Sequence, residues 1–155
     1  MILNRQRSVR VSVGELDKFL ERALRYLQLP PGALTVCLVD NAKMARWNRS
    51  YRGKKGPTDV LSFPTNGTQP KRTRLAPPNR RKSVRAPRSV SYLGDIAIAP
   101  AVARRNARRF GRTFSEEMRI LILHGILHLM GYDHETDTGQ MDRREQRLRR
   151  ECGLA

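Results

Sequence analysis

The chain is poor in cysteine, in acidic residues and in long apolar runs, and each scarcity excludes a class of protein. Its two cysteines, Cys37 and Cys152, form no C-x-x-C pair, which argues against a disulfide framework or a cysteine-rich metal site. No apolar stretch is long enough to cross a bilayer, and the amino terminus has no apolar segment typical of a secretory signal. We therefore expect a cytoplasmic protein that binds no membrane.

Positive charge dominates the composition of the chain. Lysine and arginine number 31 against 14 acidic residues, so the formal net charge is +17. Such an excess indicates the kind of partner rather than the fold, and nucleic acid is the natural polyanion. A generically basic protein without a polyanionic partner is the alternative interpretation.

Apolar periodicity in these 155 residues predicts one α/β domain with four strands and five helices. The strands are expected at 2–13, 33–39, 59–63 and 92–99. The first helix is expected to begin at a capping pattern, Ser12–Glu15, and to end just before Pro30. The second and third are expected from Asn41 to about Tyr51 and from Pro100 to about Phe110. The fourth is expected to begin at a second capping box, Thr113–Glu116, and the fifth to run from about Thr138 to Cys152.

Histidine is scarce as well, because the chain has three and all of them fall within residues 124–135. His124 and His128 are four residues apart, so a helix presents both imidazoles on one face. Gly131 can end that helix with a positive φ, and the chain can then return His134 to the same point. Three imidazoles with an open fourth position are typical of a catalytic zinc site, whereas a structural site has a fourth protein ligand.

The spacing H-x3-H-x2-G-x2-H is shared with the metzincin proteases, but their general-base glutamate is replaced here by Gly125. A protease without that carboxylate cannot activate its zinc-bound water in the usual way. The sequence therefore predicts the metal ligands of a zinc hydrolase but not peptide hydrolysis.

Three blocks of the chain resemble the YbeY family of bacterial rRNA-maturation endoribonucleases. Along the chain they are NRSYRGKKGPTDVLSFP (Asn48 to Pro64), LGDIAI (Leu93 to Ile98) and HGILHLMGYDH (His124 to His134), and this is the order of the family. The resemblance implies a single compact α/β domain over residues 1–155, with a mixed four-stranded sheet, about five helices and a central metal-binding helix.

The same resemblance implies a zinc-dependent, single-strand-preferring endoribonuclease. It would mature the 3′ end of small-subunit ribosomal RNA and act in ribosome quality control, with ribosomal RNA and the small ribosomal subunit or its proteins as partners. We expect a monomer with one Zn2+ on His124, His128 and His134. A water in the fourth zinc position, or the zinc as Lewis acid, would act on the phosphodiester.

Arg52 is the second catalytic residue that the resemblance implies, because it stands in the family's YRGK context. A guanidinium beside the metal could hold a phosphodiester bidentately. Further RNA contacts are expected from basic residues of the adjoining loop and of the helix that begins at Pro100, where the arginines lie opposite Val102 and Phe110. These residues are Lys54, Lys55, Arg104, Arg105, Arg108 and Arg109.

A basic, proline-rich insertion is expected at about residues 65–90, where the family has a shorter connection. The segment has eight basic residues, no acid and almost no apolar residues. Because it has little apolar surface to bury, it is expected to be flexible. It is either an inert linker or an RNA-gripping arm. For the whole protein, a non-catalytic zinc-containing module that binds the ribosome or RNA is the alternative, and Cys152 as fourth zinc ligand would favour it.

Overall fold

One mixed sheet forms the centre of the computed structural model, which describes residues 1–65, 92–133 and 135–154. Its strands are β1 (Ile2–Asn4), β2 (Leu34–Leu38), β3 (Val60–Pro64) and β4 (Gly94–Ile98). They lie in the order β1-β2-β4-β3. The first two pairings are parallel, and β3 runs antiparallel to β4.

Five helices surround this sheet in the described part of the chain. They are α1 (Val13–Tyr26), α2 (Asn41–Arg52), α3 (Pro100–Arg109), α4 (Phe114–Leu129) and α5 (Gln140–Glu151). Helix α4 contacts α1, α3 and α5 as well as β3 and β4, so it is the central helix. The expected α/β fold, with its four-stranded mixed sheet and five helices, is confirmed.

Both faces of the sheet are covered, which explains why β2 and β4 are buried along their whole length. Alternate residues point to opposite faces of a strand. In β4, Ile96 and Ile98 join the larger core with α1, α4 and α5, whereas Ala97 joins a smaller core around Trp47 of α2. Helix α4 is thereby packed against the sheet, and one side of it remains for a site.

Local hydrogen bonds set the beginnings and ends of the helices that carry the site. Asp40 caps α2 by accepting from the Lys43 N–H, and Thr113 and Glu116 form a complete capping box for α4. Gly131 follows α4 with φ +102°, as expected for a residue that lets the chain turn back.

The predicted first strand is wrong beyond Asn4. Gln6 accepts a hydrogen bond from the Val9 N–H and donates one to the Val9 carbonyl, so a side chain satisfies backbone groups that a strand would pair with a neighbour. The helix does begin at the predicted point, but its N-cap Ser12 makes no side-chain capping bond.

The sequence pattern predicts Phe110 on the side of α3 opposite the arginines. In the structure its side chain is exposed. The insertion at about 65–90 lies, apart from Thr65, outside the described residues.

Among the helices that the structure describes, none combines the length and the apolar character that crossing a membrane requires.

Candidate active site

A cleft of about 690 Å³ opens beside α4 and collects residues from three parts of the chain. His124 and His128 come from α4, Arg52 and Lys54 from the end of α2 and the following loop, and Glu135 from the segment after α4. The loop is fixed because Asn48 donates to the Gly56 carbonyl at 2.8 Å. Two of the three predicted ligands and Arg52 therefore line one cavity.

The two imidazoles face each other through their Nε2 atoms, which are 3.1 Å apart. Zinc–nitrogen bonds of 2.0–2.1 Å in a tetrahedron place two ligand nitrogens about 3.4 Å apart, so the observed spacing is close to that of a shared zinc ion. Two facing ring nitrogens need a proton or a cation between them. The geometry of this pair therefore fits the donor set of a zinc site.

Glu145 of α5 fixes the orientation of the first imidazole, because its Oε1 lies 2.7 Å from Nδ1 of His124. An ionised carboxylate only accepts hydrogen bonds, so Nδ1 is the donor and Nε2 is turned toward His128. Arg149, one turn along α5, donates to the other oxygen of Glu145. Burial raises the pKa of Glu145, but its hydrogen bond to His124 and its interaction with Arg149 outweigh the burial, and the pKa lies below its usual value.

Glu145 is a site residue that the sequence analysis missed. Helix α5 alternates charges along its length, which is the pattern of a solvated face, yet Glu145 is 7% exposed. A carboxylate behind a metal-binding histidine is a recurring arrangement that sets the ring tautomer and raises ligand basicity. A periodicity argument could not find it because the contact spans 21 residues and two helices.

The third predicted ligand, His134, lies outside the described residues. Within residues 1–65, 92–133 and 135–154, no group of three His, Cys, Asp or Glu side chains is arranged to hold a metal. Cys152, the alternative fourth ligand, is buried in the larger hydrophobic core. It lines neither this cleft nor a second cavity that lies behind the cleft at His124. Burial also raises the pKa of its thiol.

Arg52 lies across the cleft and donates to Oε2 of Glu135 at 3.1 Å. Asp133 accepts from the Glu135 N–H at 3.0 Å, so it holds the turn that carries Glu135. Tyr51 also lines the cleft, and burial raises the pKa of its phenol although the Arg52 charge opposes the effect. The cleft thus has cationic and hydrogen-bonding groups facing the two imidazoles.

Gly125 faces the sheet rather than the cleft. A Cβ added at this position would lie 2.9 Å from two side-chain atoms of Ile96 in β4. Its carbonyl accepts a hydrogen bond from Ser62 of β3 at 3.1 Å. A glutamate at position 125 would therefore have to enter a close contact between helix and sheet, which gives a physical reason for the glycine in this chain.

The remaining predicted RNA contacts are distributed differently. Lys54 lines the cleft, and Lys55 is exposed but does not line it. The four arginines of α3 are exposed and line neither this cleft nor the cavity behind it. They are Arg104, Arg105, Arg108 and Arg109.

A second cavity, of about 330 Å³, lies behind the first. The two share Asp59, Val60 and His124, so they meet at the first imidazole. Asp59 is held there by Asn106 of α3, which donates to its Oδ2 at 3.1 Å. Arg112, at the junction of α3 and α4, lines only the second cavity. Nothing in the sequence pattern indicated this cavity.

Comparison with known proteins is consistent with this geometry. Residues 1–153 match the family model described as Endoribonuclease YbeY. The chain is 35% identical over 152 residues to the Endoribonuclease YbeY of a Sulfurovum species, covering 98% of this chain and 90% of that protein. It is 39% identical over 138 residues to the protein of the same name from Solibacter usitatus, covering 87% and 78%.

A solved structure is also similar. The solution structure of a Thermotoga maritima protein superposes with a TM-score of 0.57 at 27% identity, covering 98% of this chain and 89% of that one. The family model and the curated relatives span nearly the whole chain, including the histidine helix and the loop of Arg52. The chain therefore belongs to the YbeY endoribonuclease family.

Proposed function

We propose that this protein is a zinc-dependent endoribonuclease that cuts single-stranded segments of ribosomal RNA, at the 3′ end of the small-subunit RNA and in ribosome quality control. Membership of the family supports an endoribonuclease acting in ribosomal RNA processing. The observation that carries the zinc part of the proposal is the pair of Nε2 atoms facing each other at 3.1 Å in a cleft that also holds Arg52.

His124 and His128 would hold the metal, with His134 as the third ligand that the sequence pattern adds. When bound, zinc would supply Lewis-acid activation of the attacking oxygen and of the phosphate. Glu145 would keep His124 in the tautomer that presents Nε2, and Arg149 would hold Glu145 in place. The chain's own contribution at this point is a rigid pair of imidazoles supported by α5.

Arg52 would bind the scissile phosphate. A guanidinium can donate two parallel hydrogen bonds to a phosphodiester and stabilise the additional negative charge of the transition state. Its present partner, Glu135, is 58% exposed in its side chain, so the carboxylate can move into solvent when a phosphate takes its place. Asp133 is occupied with the turn, which gives it a structural role.

Two rival functions are less well supported. A peptidase would need a general base where Gly125 faces β4. A non-catalytic zinc-containing module is not favoured by the family, and Cys152 lies in the core rather than in the cleft. The small ribosomal subunit as partner, the monomeric state and the cytoplasmic location stay predictions from the sequence.

The decisive experiment compares the wild-type protein with His124→Ala on a labelled single-stranded RNA that carries a small-subunit 3′ end. Zinc content is determined for both proteins. Because the chain has only three histidines, metal bound through imidazole reports on this site alone. We expect about one zinc per chain and internal cleavage in the wild type, and the loss of both in the variant. Equal binding without cleavage by either protein would contradict the proposal and favour the docking module.

A further inference from the structure

Phe110 stands at an unusual place for a large apolar side chain. It is the residue that ends α3, and it is 57% exposed although most aromatic side chains of the described residues are buried or half-buried. A single exposed phenylalanine needs no special explanation, so its surroundings decide whether it has a role.

Two guanidinium groups lie close to the Phe110 ring. The Cζ atom of Arg112 lies 5.2 Å from the ring centroid, and that of Arg109 lies 6.0 Å from it. Arg112 is held in place because it donates at 2.8 Å to Glu117, whose side chain is 3% exposed. An exposed ring with two cations close to it, one of them anchored, has the composition of a site for single-stranded nucleic acid, where bases stack on aromatic faces and cations contact the backbone.

The rest of α3 has the charge that such a strand would require. The helix contains four arginines and no acidic residue, and all four arginines are exposed. An acid-free basic surface favours a polyanion over a protein partner, because the phosphate backbone supplies most of the electrostatic attraction in nucleic-acid binding.

The cavities connect this surface with the cleft. Arg112 lines the second cavity, and that cavity meets the cleft at His124, Asp59 and Val60. Its wall has apolar side chains as well as four carboxylates, of which Glu117 and Glu145 are paired with Arg112 and Arg149. The two cavities thus connect the imidazoles with Arg112, whose guanidinium lies 5.2 Å from the centroid of the Phe110 ring.

We propose that Phe110, with Arg109 and Arg112 beside it, is a stacking site for an unpaired base of the RNA substrate, on the part of the strand that leaves the cleft along the second cavity. The inference rests on RNA being the substrate. It adds a binding subsite outside the cleft and a structural reason for a single-strand preference. A paired base is already stacked inside a helix and cannot offer its face to the ring.

The test uses the full chain with Phe110→Ala, Phe110→Leu and Phe110→Trp. Tyr26→Ala is the matched control, because Tyr26 is an exposed aromatic residue on α1 that lines neither cavity. Cleavage of a labelled single-stranded oligoribonucleotide is measured under single-turnover conditions at increasing protein concentration. Thermal unfolding of each variant checks that the fold is retained.

Phe110→Ala is expected to raise the half-saturating protein concentration roughly five-fold to 100-fold, the range for loss of one base–aromatic stack, and to leave the limiting rate unchanged. Leucine should restore little of the loss because it has no ring face, whereas tryptophan should bind at least as tightly as the wild type. Tyr26→Ala should match the wild type.

A second measurement, of 2-aminopurine fluorescence, identifies which base of the strand stacks on Phe110. A series of strands carries one 2-aminopurine at successive positions, and the fluorescence is read by stopped flow before cleavage has proceeded. Stacking should quench the fluorescence at one position outside the cleft, and Phe110→Ala should abolish that quenching. An abasic site at the same position should remove the difference between wild type and Phe110→Ala.

If wild type and Phe110→Ala show the same half-saturating concentration and the same quenching, the stacking site is wrong, and a surface for a protein partner becomes the better interpretation. If the wild type itself neither binds nor cuts the strand, the failure lies with the proposed function instead. The two failures are therefore distinguishable in one set of measurements.

Discussion

Arg52 and Glu135 are 83 residues apart in the chain, yet their side chains form an ion pair of 3.1 Å across the cleft. Both side chains are partly exposed, at 38% and 58%, so the pair contributes at most about 1 kcal/mol to stability. Its importance is positional, because the carboxylate lies where a substrate phosphate would meet the guanidinium. The pair holds Arg52 over the cleft, and under the proposed function it would compete with RNA for the guanidinium.

Glu135→Gln should therefore tighten RNA binding. Removing the competing charge frees the guanidinium, and a pair of this exposure limits the gain to about five-fold in the half-saturating protein concentration. The measurement is single-turnover cleavage as a function of concentration. Glu151→Gln, an exposed glutamate of α5 that lines neither cavity, is the control. A loss of the limiting rate by a factor of about 100 would show instead that Glu135 acts as general base.

Arg52 itself should be required for the chemical step. Arg52→Ala is expected to lower the limiting rate by roughly 100-fold or more, the usual cost of removing a donor to developing charge. Arg52→Lys should recover only part of the rate because a lysine cannot make the bidentate contact. Zinc content should remain that of the wild type.

The control for Arg52 lies on the same helix. Arg49 is an exposed arginine in the last turn of α2 and does not line the cleft. Arg49→Ala removes the same charge from the protein, so a general effect of net charge on RNA binding would appear in both variants. Equal losses in Arg49→Ala and Arg52→Ala would contradict a specific role for Arg52.

Glu145 should control metal affinity through His124. Glu145→Ala removes the acceptor for Nδ1 and is expected to weaken zinc binding by about 10- to 100-fold. Glu145→Gln should lose less, because its amide oxygen still accepts from Nδ1. Zinc affinity is measured by competition with a chromophoric chelator, with thermal unfolding as a check on the fold and Glu151→Gln as the control. Unchanged zinc affinity in a folded Glu145→Ala protein would remove this role.

The sequence predicted those parts of the fold that depend on neighbours along the chain. The capping box at Thr113 and Glu116 and the positive φ of Gly131 are local events, and both are present. The prediction of the first strand was wrong beyond Asn4. The alternation at Val9 and Val11 is the same whether a neighbouring strand or the Gln6 side chain bonds to the backbone N–H and carbonyl groups. Pattern alone cannot distinguish these two partners.

In the candidate site, too, the residues that could be predicted are those placed by local structure. His124 and His128 could be predicted to share a face because four residues make about one helical turn. Glu145 and Glu135 could not be placed, because each meets its partner only through tertiary packing, between α4 and α5 or across the cleft. Phe110 was misplaced for a related reason. It ends α3, so the helical periodicity that buries Val102 no longer fixes its direction.

Gly125 and Gly14 offer a test of how closely α4 packs on the sheet. Both are helical glycines, and alanine at either position gains up to about 1 kcal/mol of helix propensity. At Gly14 an added Cβ meets nothing within 4 Å, whereas at Gly125 it would lie 2.9 Å from Ile96, which is fully buried in β4. The same substitution should therefore have opposite effects at the two positions.

Denaturant unfolding should show that Gly14→Ala raises the free energy of unfolding by up to about 1 kcal/mol. Gly125→Ala should lower it by about 1–2 kcal/mol, because overpacking of a tight core outweighs the propensity gain. A shift of the helix away from β4 that relieves this contact would carry the imidazoles with it, so zinc affinity should fall in Gly125→Ala but not in Gly14→Ala. Equal stability of the two variants would mean that Ile96 can yield to a methyl group. The absence of a larger residue at position 125 would then need a cause other than packing.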